Sequence, residues 1–284
     1  MISTELNRII NAKAAIKEII EHSGGSVPDG ALLSDYADAI MALRSNGEYI
    51  EDSQSYLTFE CVGLMTNRRT AWISWGNTGG LRLNPEYKIN GQGSWTRLEK
   101  YDKVHLRLGD KIAFKSSNRY TGEDENHFNY FYGGDGYFRG CGNLLSLTDF
   151  TTPTTTYAFA RLFSKVSDNV LPLLEAPDFS KIWNINGYMF YRTFYENTYL
   201  LNGPEIDATH ILSLITPTGS CNEMCRGCTN LRYIKILAES TINSSSAFWT
   251  NVCADTNSNG RFFRKNGQPS LPSGWQVLDS TLFG

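Results

Sequence analysis

No apolar run in the sequence approaches the ~20 residues needed to span a bilayer as a helix, so a transmembrane helix is excluded and membrane insertion is not expected. Basic excess is missing as well. Twenty-six Lys and Arg face 29 Asp and Glu, and the two signs are balanced at 12 each in residues 51–150 and 10 each in 151–284. A nucleic-acid surface works by counterion release from a basic face, and none is written here. Histidine is scarce: His22, His105, His127 and His210 are too scattered for an H-x-x-x-H or H-x-H metal pair. There is no G-x-S-x-G elbow, no phosphate-binding P-loop and no G-x-G-x-x-G after a strand. Met1 to Leu6 show neither the basic start nor the apolar stretch of a secretory leader, so synthesis in the cytoplasm without export is expected. Six cysteines in 284 residues are too sparse for a disulfide scaffold, and free thiols are expected.

What is abundant is aromatic: 15 Tyr, 15 Phe and 6 Trp. The pattern that carries these rings changes along the chain. In the opening segment Ile2, Leu6, Ile9, Ile16 and Ile20 fall on alternating four- and three-residue steps, with Lys13 interrupting the seam. That is coiled-coil spacing over about three heptads, marginal alone in water. Ser23-Gly24-Gly25 and Pro28-Asp29-Gly30 end it, and Ser34 caps a second short helix over about 34–44. Residues 1–46 therefore read as a helical hairpin. Its apolar stripe either meets a partner chain or packs on the body of its own.

From 55 to 147 the period becomes two. Leu57-Phe59-Cys61, Leu81-Leu83, Tyr87-Ile89, Val104-Leu106-Leu108 and Ile112-Phe114 alternate with polar neighbours, separated by turns such as Asn90-Gly91 and Leu108-Gly109-Asp110. Short strands at this spacing predict an antiparallel β-sandwich. Its last stretch gathers aromatic residues around Gly133-Gly134-Asp135-Gly136. Most of these rings serve packing; Tyr130, Tyr132 and Tyr137 are the candidates for contact with a sugar ring.

Beyond 150 the chain repeats. Tyr157–Phe163 aligns with Tyr188–Phe194, and Thr193–Leu200 is echoed by Met224–Leu231 at the same offset. Ala176-Pro177-Asp178-Phe179 is echoed at a slightly shorter offset by Gly203-Pro204-Glu205-Ile206. Self-similarity at a period of about 30 residues predicts a solenoid. It would hold three degenerate units over 151–237, each a short helix or turn followed by a short strand, with 238–284 as its cap. The predicted class is a multi-module α+β protein.

The repeat units, with Met224-Cys225-Arg226-Gly227-Cys228-Thr229-Asn230-Leu231 nearest to pattern, resemble the BspA-like leucine-rich repeats of Bacteroidetes surface proteins and of their phages. Gly260–Lys265 followed by Leu271-Pro272-Ser273-Gly274-Trp275 is similar to the cap of those arrays, and Tyr87-Lys88-Ile89-Asn90-Gly91 with Gly109-Asp110-Lys111-Ile112 to the domain that precedes them. Ile2 to Lys13, with Val27-Pro28-Asp29-Gly30, resembles the start of tail and appendage proteins of gut phages, the crAss-like ones included. Glu196-Asn197 departs from the Gly-Cys usual in the repeat family. The resemblance implies a virion protein, a tail or head fibre or appendage subunit made in the host cytoplasm. It would dock onto other virion proteins through Ile2, Leu6, Ile9, Ile16 and Ile20, form a homo-oligomer with a trimer as one option, and adhere to a host glycan or surface protein. The alternative within the same family is a bacterial cell-surface adhesin.

A third class, an Fe–S or zinc enzyme, rests on Cys221, Cys225 and Cys228, whose C-x3-C-x2-C spacing is that of three iron ligands in a radical-type Fe–S enzyme. The stretch from Cys228 to Gly284 is too short for the barrel such chemistry needs. Positions i, i+4 and i+7 also lie on one face of a helix, so these cysteines read as small core hydrophobes. Glu123-Asp124-Glu125 lacks the spaced oxygens of a Ca2+ loop and reads as solvated. The sequence thus predicts no enzyme, no cofactor and no metal.

Overall fold

The computed structural model describes residues 13, 14, 16, 17, 27, 28, 30, 56–79, 83–117, 122–151, 156–179, 181, 182, 187–208, 219–238, 253, 255, 256, 261–264 and 275–279. The chain divides into two compact units, Met1–Glu51 and Asp52–Gly284. In the first, Lys13, Ala14, Ile16 and Lys17 are helical and Val27 is buried. The remainder of the expected hairpin, with Ile2, Leu6, Ile9 and Ile20, lies outside the described residues.

In the second unit the alternating segments form strands. β1 (Leu57–Leu64) turns Leu57, Phe59 and Cys61 into the core. It pairs antiparallel with β6 (Lys111–Lys115) on one side and β8 (Gly136–Cys141) on the other. β3 (Glu86–Ile89) joins β6, and the Asn90-Gly91 turn returns the chain as β4 (Gln92–Arg97). Both turn residues have positive φ, 55° and 62°, the geometry that matches a two-residue turn to the twist of its strands. β2 (Ala71–Asn77), flanked by β5 (Val104–Leu106) and β7 (Asn129–Gly134), makes a second, three-stranded sheet. Phe59 and Phe114 of the larger sheet meet Phe131 of β7 at ring-centroid distances of 5.8 and 4.9 Å, which places the core between the sheets.

The chain passes from β7 to β8, and so from one sheet to the other, through Asp135 at φ 62°. Gly136 is required at this crossing, because a Cβ there would lie 2.5 Å from that of Ala71.

After β8 the larger sheet continues without a break but changes direction. β9 (Leu173–Glu175), β10 (Asn202–Ala208), β11 (Tyr233–Ala238), β12 (Arg261–Arg264) and β13 (Gln276–Asp279) add in parallel, giving the order β13-β12-β11-β10-β9-β8-β1-β6-β3-β4. The opposite layer is built from arcs at 156–166, 187–197 and 219–228. Their backbone N–H groups alternate in use. Ala160, Leu162 and Ser164 donate to carbonyls three positions back, whereas Phe159, Arg161, Phe163 and Lys165 donate sideways to Met189, Tyr191, Thr193 and Tyr195 of the next arc. The second arc repeats the scheme, with Phe190, Arg192, Phe194 and Glu196 donating to Ser220, Asn222, Met224 and Arg226 of the third.

One left-handed position recurs at the same place in every arc, Arg161 at φ 57°, Arg192 at 54° and Glu223 at 52°, with Asp255 at 57°, and the second and third arcs add Gly187 and Glu196, and Gly219 and Gly227. Such a φ is uncommon outside glycine, and its recurrence once per repeat marks it as part of the coil. The first arc also docks on the smaller sheet, where Phe131 N–H donates to Leu162 O at 2.8 Å and Gly133 N–H to Val170 O at 3.1 Å. Both layers of the antiparallel part therefore run on into the coils.

The interior is continuous for the same reason. Residues one repeat apart stack in columns: Phe159, Phe190 and Cys221 in one, Phe163, Phe194 and Cys225 in another, all buried. Phe163 ties the parts together, 5.7 Å from Phe59, 6.2 Å from Phe131 and 5.4 Å from Phe194 between ring centroids. Buried polar side chains bind carbonyls of the preceding arc. Thr193 Oγ1 donates to Phe159 O at 3.0 Å, and Asn197 Nδ2 to Phe163 O at 3.1 Å and Leu171 O at 3.0 Å. Cys228 Sγ donates to Phe194 O at 3.0 Å, the same step one repeat later.

The expected α+β class of separate modules, with a helical hairpin and a leucine-rich-repeat-like solenoid, is corrected by this arrangement. The described residues are mainly strands and turns, no N-terminal helical hairpin is among them, and within 52–284 the one helical element described is the 3-10 turn Leu144–Thr148. The units at 151–237 contain no helix among the described residues, because every second N–H of an arc is spent on its neighbour and a left-handed residue breaks each turn. An α-helix needs every N–H for its own ladder.

Candidate functional site

Tyr130 and Tyr132 project from the outer face of β7, yet only 6% and 7% of their surface is exposed. The Tyr130 ring lies down over glycine: a Cβ at Gly76 would stand 2.8 Å from it and 2.9 Å from Tyr101. Phe128, Tyr130 and Tyr132 form their own cluster against Trp72 and Val166. Tyr137 lies on β8, on the outer face of the other sheet, with Tyr199 at 6.1 Å. The three candidate sugar contacts therefore do not share a surface. Of the candidate docking residues only Ile16 is described; it is helical and 38% exposed.

All six cysteines are free thiols, and Cys221, Cys225, Cys228 and Cys253 are wholly buried. Burial pushes the thiols of Cys221, Cys225 and Cys253 up, so they stay protonated rather than adopting the thiolate that binds metals. Burial likewise pushes the Cys141 thiol to about 11. Among the described residues no group of His, Cys, Asp and Glu is placed to hold a metal ion. The core reading stands, but its helix-face reason is corrected: Cys221 and Cys225 extend two phenylalanine columns, and Cys228 replaces the asparagine of the preceding arc as a carbonyl donor.

The acidic loop is used internally. Asp124 Oδ1 accepts from the N–H groups of Asn126 and His127 at 2.7 and 2.8 Å, and His127 Nδ1 bonds Asp124 Oδ2 at 2.7 Å. The hydrogen bond first, and the opposite charge second, raise His127 above its ordinary 6.5; the same bond lowers Asp124 below 3.8. A raised histidine stabilises the fold fully below 6.5, and that contribution is lost as pH rises through the folded value. The aspartate's share is present above 3.8 and lost as pH falls through its lowered value. NMR titration is expected to place the His127 midpoint above 6.5 and to see it fall toward 6.5 in Asp124→Asn. A midpoint unmoved by the substitution would refute the pair.

Across the outer face of the smaller sheet and the adjoining arcs runs a band of rings and cations. Lys103 Nζ sits 3.9 Å from the Trp72 ring centroid, and Trp72 meets Tyr132 edge-on at 5.7 Å. Tyr130 and Phe128 continue the line at 5.8 and 6.1 Å, and the Arg161 guanidinium covers Phe128 at 5.0 Å. Beyond Arg161 lie Tyr157 and Tyr188, parallel within 9° at 5.0 Å, with Tyr191 edge-on to both. Arg192 rests between Tyr191 and Tyr195 at 4.8 and 4.9 Å.

Glu223 binds Arg192 and Arg226 at 2.5 Å each, and Arg226 also reaches Asp255 at 3.0 Å. Burial raises the Glu223 pKa, but the two arginine hydrogen bonds outweigh it and hold the carboxyl below its ordinary range. Arg161 is lowered, by burial first and by the like charge of Arg192 second. Among the described residues the band offers ring faces with Lys103 and Arg161 as cations outside its ion pairs, a chemistry suited to holding a polar ligand.

No family model matches this chain, and neither a curated protein nor a solved structure does. The band is legible in the sequence only as spacing. Tyr157 and Tyr188, and Arg161 and Arg192, recur at the repeat offset, but the left-handed backbone of Arg161 and Arg192 has no signal there.

Proposed function

We propose that this chain is a non-enzymatic structural protein of a phage particle, a tail or head fibre or appendage subunit that adheres to the host surface. It attaches to other virion proteins and forms homo-oligomers through its N-terminal unit, and it presents the Asp52–Gly284 unit outward. The observation that supports this most is continuity: a single ten-stranded sheet and a single apolar core run from the antiparallel strands through the coils. Layers that share hydrogen bonds and side chains move as one body, which suits a projecting module that must carry load at one end and contact at the other. The division of the chain at Glu51 and Asp52 fits a separate attachment segment, and the resemblance of Ile2–Lys13 to appendage proteins agrees with it.

The decisive experiment is mass spectrometry of purified particles, alongside a variant carrying Ile9→Asp and Ile16→Asp. The protein is expected in the particle, and the variant is expected to fold but not to be incorporated. Absence of the wild-type protein from particles, or its recovery in a bacterial envelope fraction, would overturn the reading.

A further inference from the structure

We propose that Arg161, next to Tyr191 and the Tyr157–Tyr188 ring pair that Tyr191 meets edge-on, receives the carboxylate of an acidic sugar in a surface polysaccharide. This rests on the adhesive reading above and names the ligand class and the site.

Along the column formed by the recurring left-handed position of the arcs the charges run Arg161, Arg192, Glu223, Asp255. Pairing closes over the last three. Glu223 takes Arg192 and Arg226, and Asp255 takes Arg226. Arg161 is left over. Its Nε is buried without an acceptor, and among the described residues no carboxylate lies within ion-pair distance of it. Glu125, on the exposed 123–127 loop, is the carboxylate in its electrostatic surroundings, and Arg192 opposes it with like charge. A half-buried guanidinium that keeps its charge beside a second cation is a standing cost, relieved when an anion docks against it.

The surroundings select the kind of anion. The Arg161 guanidinium lies over the Phe128 ring, 5.0 Å from its centroid, which limits its freedom to move. Tyr157 and Tyr188 are half-buried and stacked in parallel, and the Tyr188 ring lies over Gly219, where a Cβ would come within 2.2 Å of it. The ring pair is therefore held in place before any ligand arrives. Rigid ring edges and faces beside one planar cation match a pyranose ring carrying a carboxylate, with the rings taking the C–H face and the guanidinium the acid. A nucleic acid would need a track of cations, and the column supplies one that is unpaired.

The test uses the full chain and polygalacturonate as probe, with fully methyl-esterified polygalacturonate as the uncharged control, by affinity electrophoresis and calorimetry. Binding is expected for the acid and not for the ester. Arg161→Gln and Tyr188→Ala are each expected to weaken binding about tenfold or more, the scale of one charge-assisted hydrogen bond. Arg161→Lys is expected to restore part of it, and Arg226→Gln to leave it unchanged. Thermal unfolding of each variant reports whether it has folded.

Equal binding of ester and acid, no binding of the acid by the wild type, or wild-type affinity in folded Arg161→Gln would overturn the proposal. These outcomes are separable from the particle experiment. Protein found in particles that ignores the polyuronate removes the ligand assignment alone, and a polyuronate binder missing from particles removes the appendage reading alone.

Discussion

Phe163→Ala is expected to destabilise the whole Asp52–Gly284 unit by about 3–5 kcal/mol, the usual cost of emptying a phenylalanine site in a packed core. The ring is wholly buried and touches Phe59 of β1, Phe131 of β7 and Phe194 of the next arc. It thus belongs to both antiparallel sheets and to the coils at once. The sheet also passes from β8 to β9 through paired backbone. Calorimetry of the wild type should accordingly show one cooperative transition for this unit, and the variant one transition at lower temperature. Two transitions of which only one moves would mean that the coils and the antiparallel sheets unfold independently, contrary to the shared core.

Asn197→Ala is the second large effect, expected at about 1–3 kcal/mol, because the buried Phe163 carbonyl loses its donor and the Leu171 carbonyl keeps only the Leu173 N–H. Asn197 Nδ2 supplies both Phe163 O and Leu171 O, one in the preceding arc and one in the segment leading to β9. It therefore joins the arc layer to the strand layer inside one coil. The equivalent residue in the next arc is Cys228, whose thiol donates to one carbonyl, Phe194 O. Asn197→Cys should consequently lose less than Asn197→Ala, since a thiol keeps one of the two bonds in weaker form. Denaturant midpoints of the three proteins give the order Asn, Cys, Ala. If Cys and Ala are equal, the carbonyl bonds are not what Asn197 contributes.

How much of this is legible in the sequence depends on how local each cause is. The inward alternation of Leu57, Phe59 and Cys61, the Asn90-Gly91 turn and the strands at Val104–Leu106 and Lys111–Lys115 follow from period two and from φ preference, and both can be read within a short window. The repeat is likewise visible as Tyr157–Phe163 against Tyr188–Phe194, and it sets the spacing at which Phe159 and Phe163 stack on Phe190 and Phe194.

The arcs look helix-like in sequence because Cys221, Cys225 and Cys228 stand at helical spacing. Nothing in an arginine or a glutamate announces a left-handed φ, so the steps at Arg161, Arg192 and Glu223 are not foreseeable from composition or period. The sugar candidates fail to converge for a related reason. Tyr130 lies flat because Gly76 sits opposite it on β2, and Tyr137 is carried to the other sheet by the crossing at Asp135.

By itself, then, the sequence determined the strand alternation, the tight turn and the repeat length, all consequences of side-chain period and local backbone preference. Tertiary structure decided that the coils would share the sheet and core of the antiparallel strands, and that one arginine of the column would be left unpaired. Those outcomes depend on hydrogen bonds and charges between residues a full repeat apart in the chain, such as Phe159 with Met189 and Arg192 with Glu223. No local preference encodes such partners until the chain has brought them together.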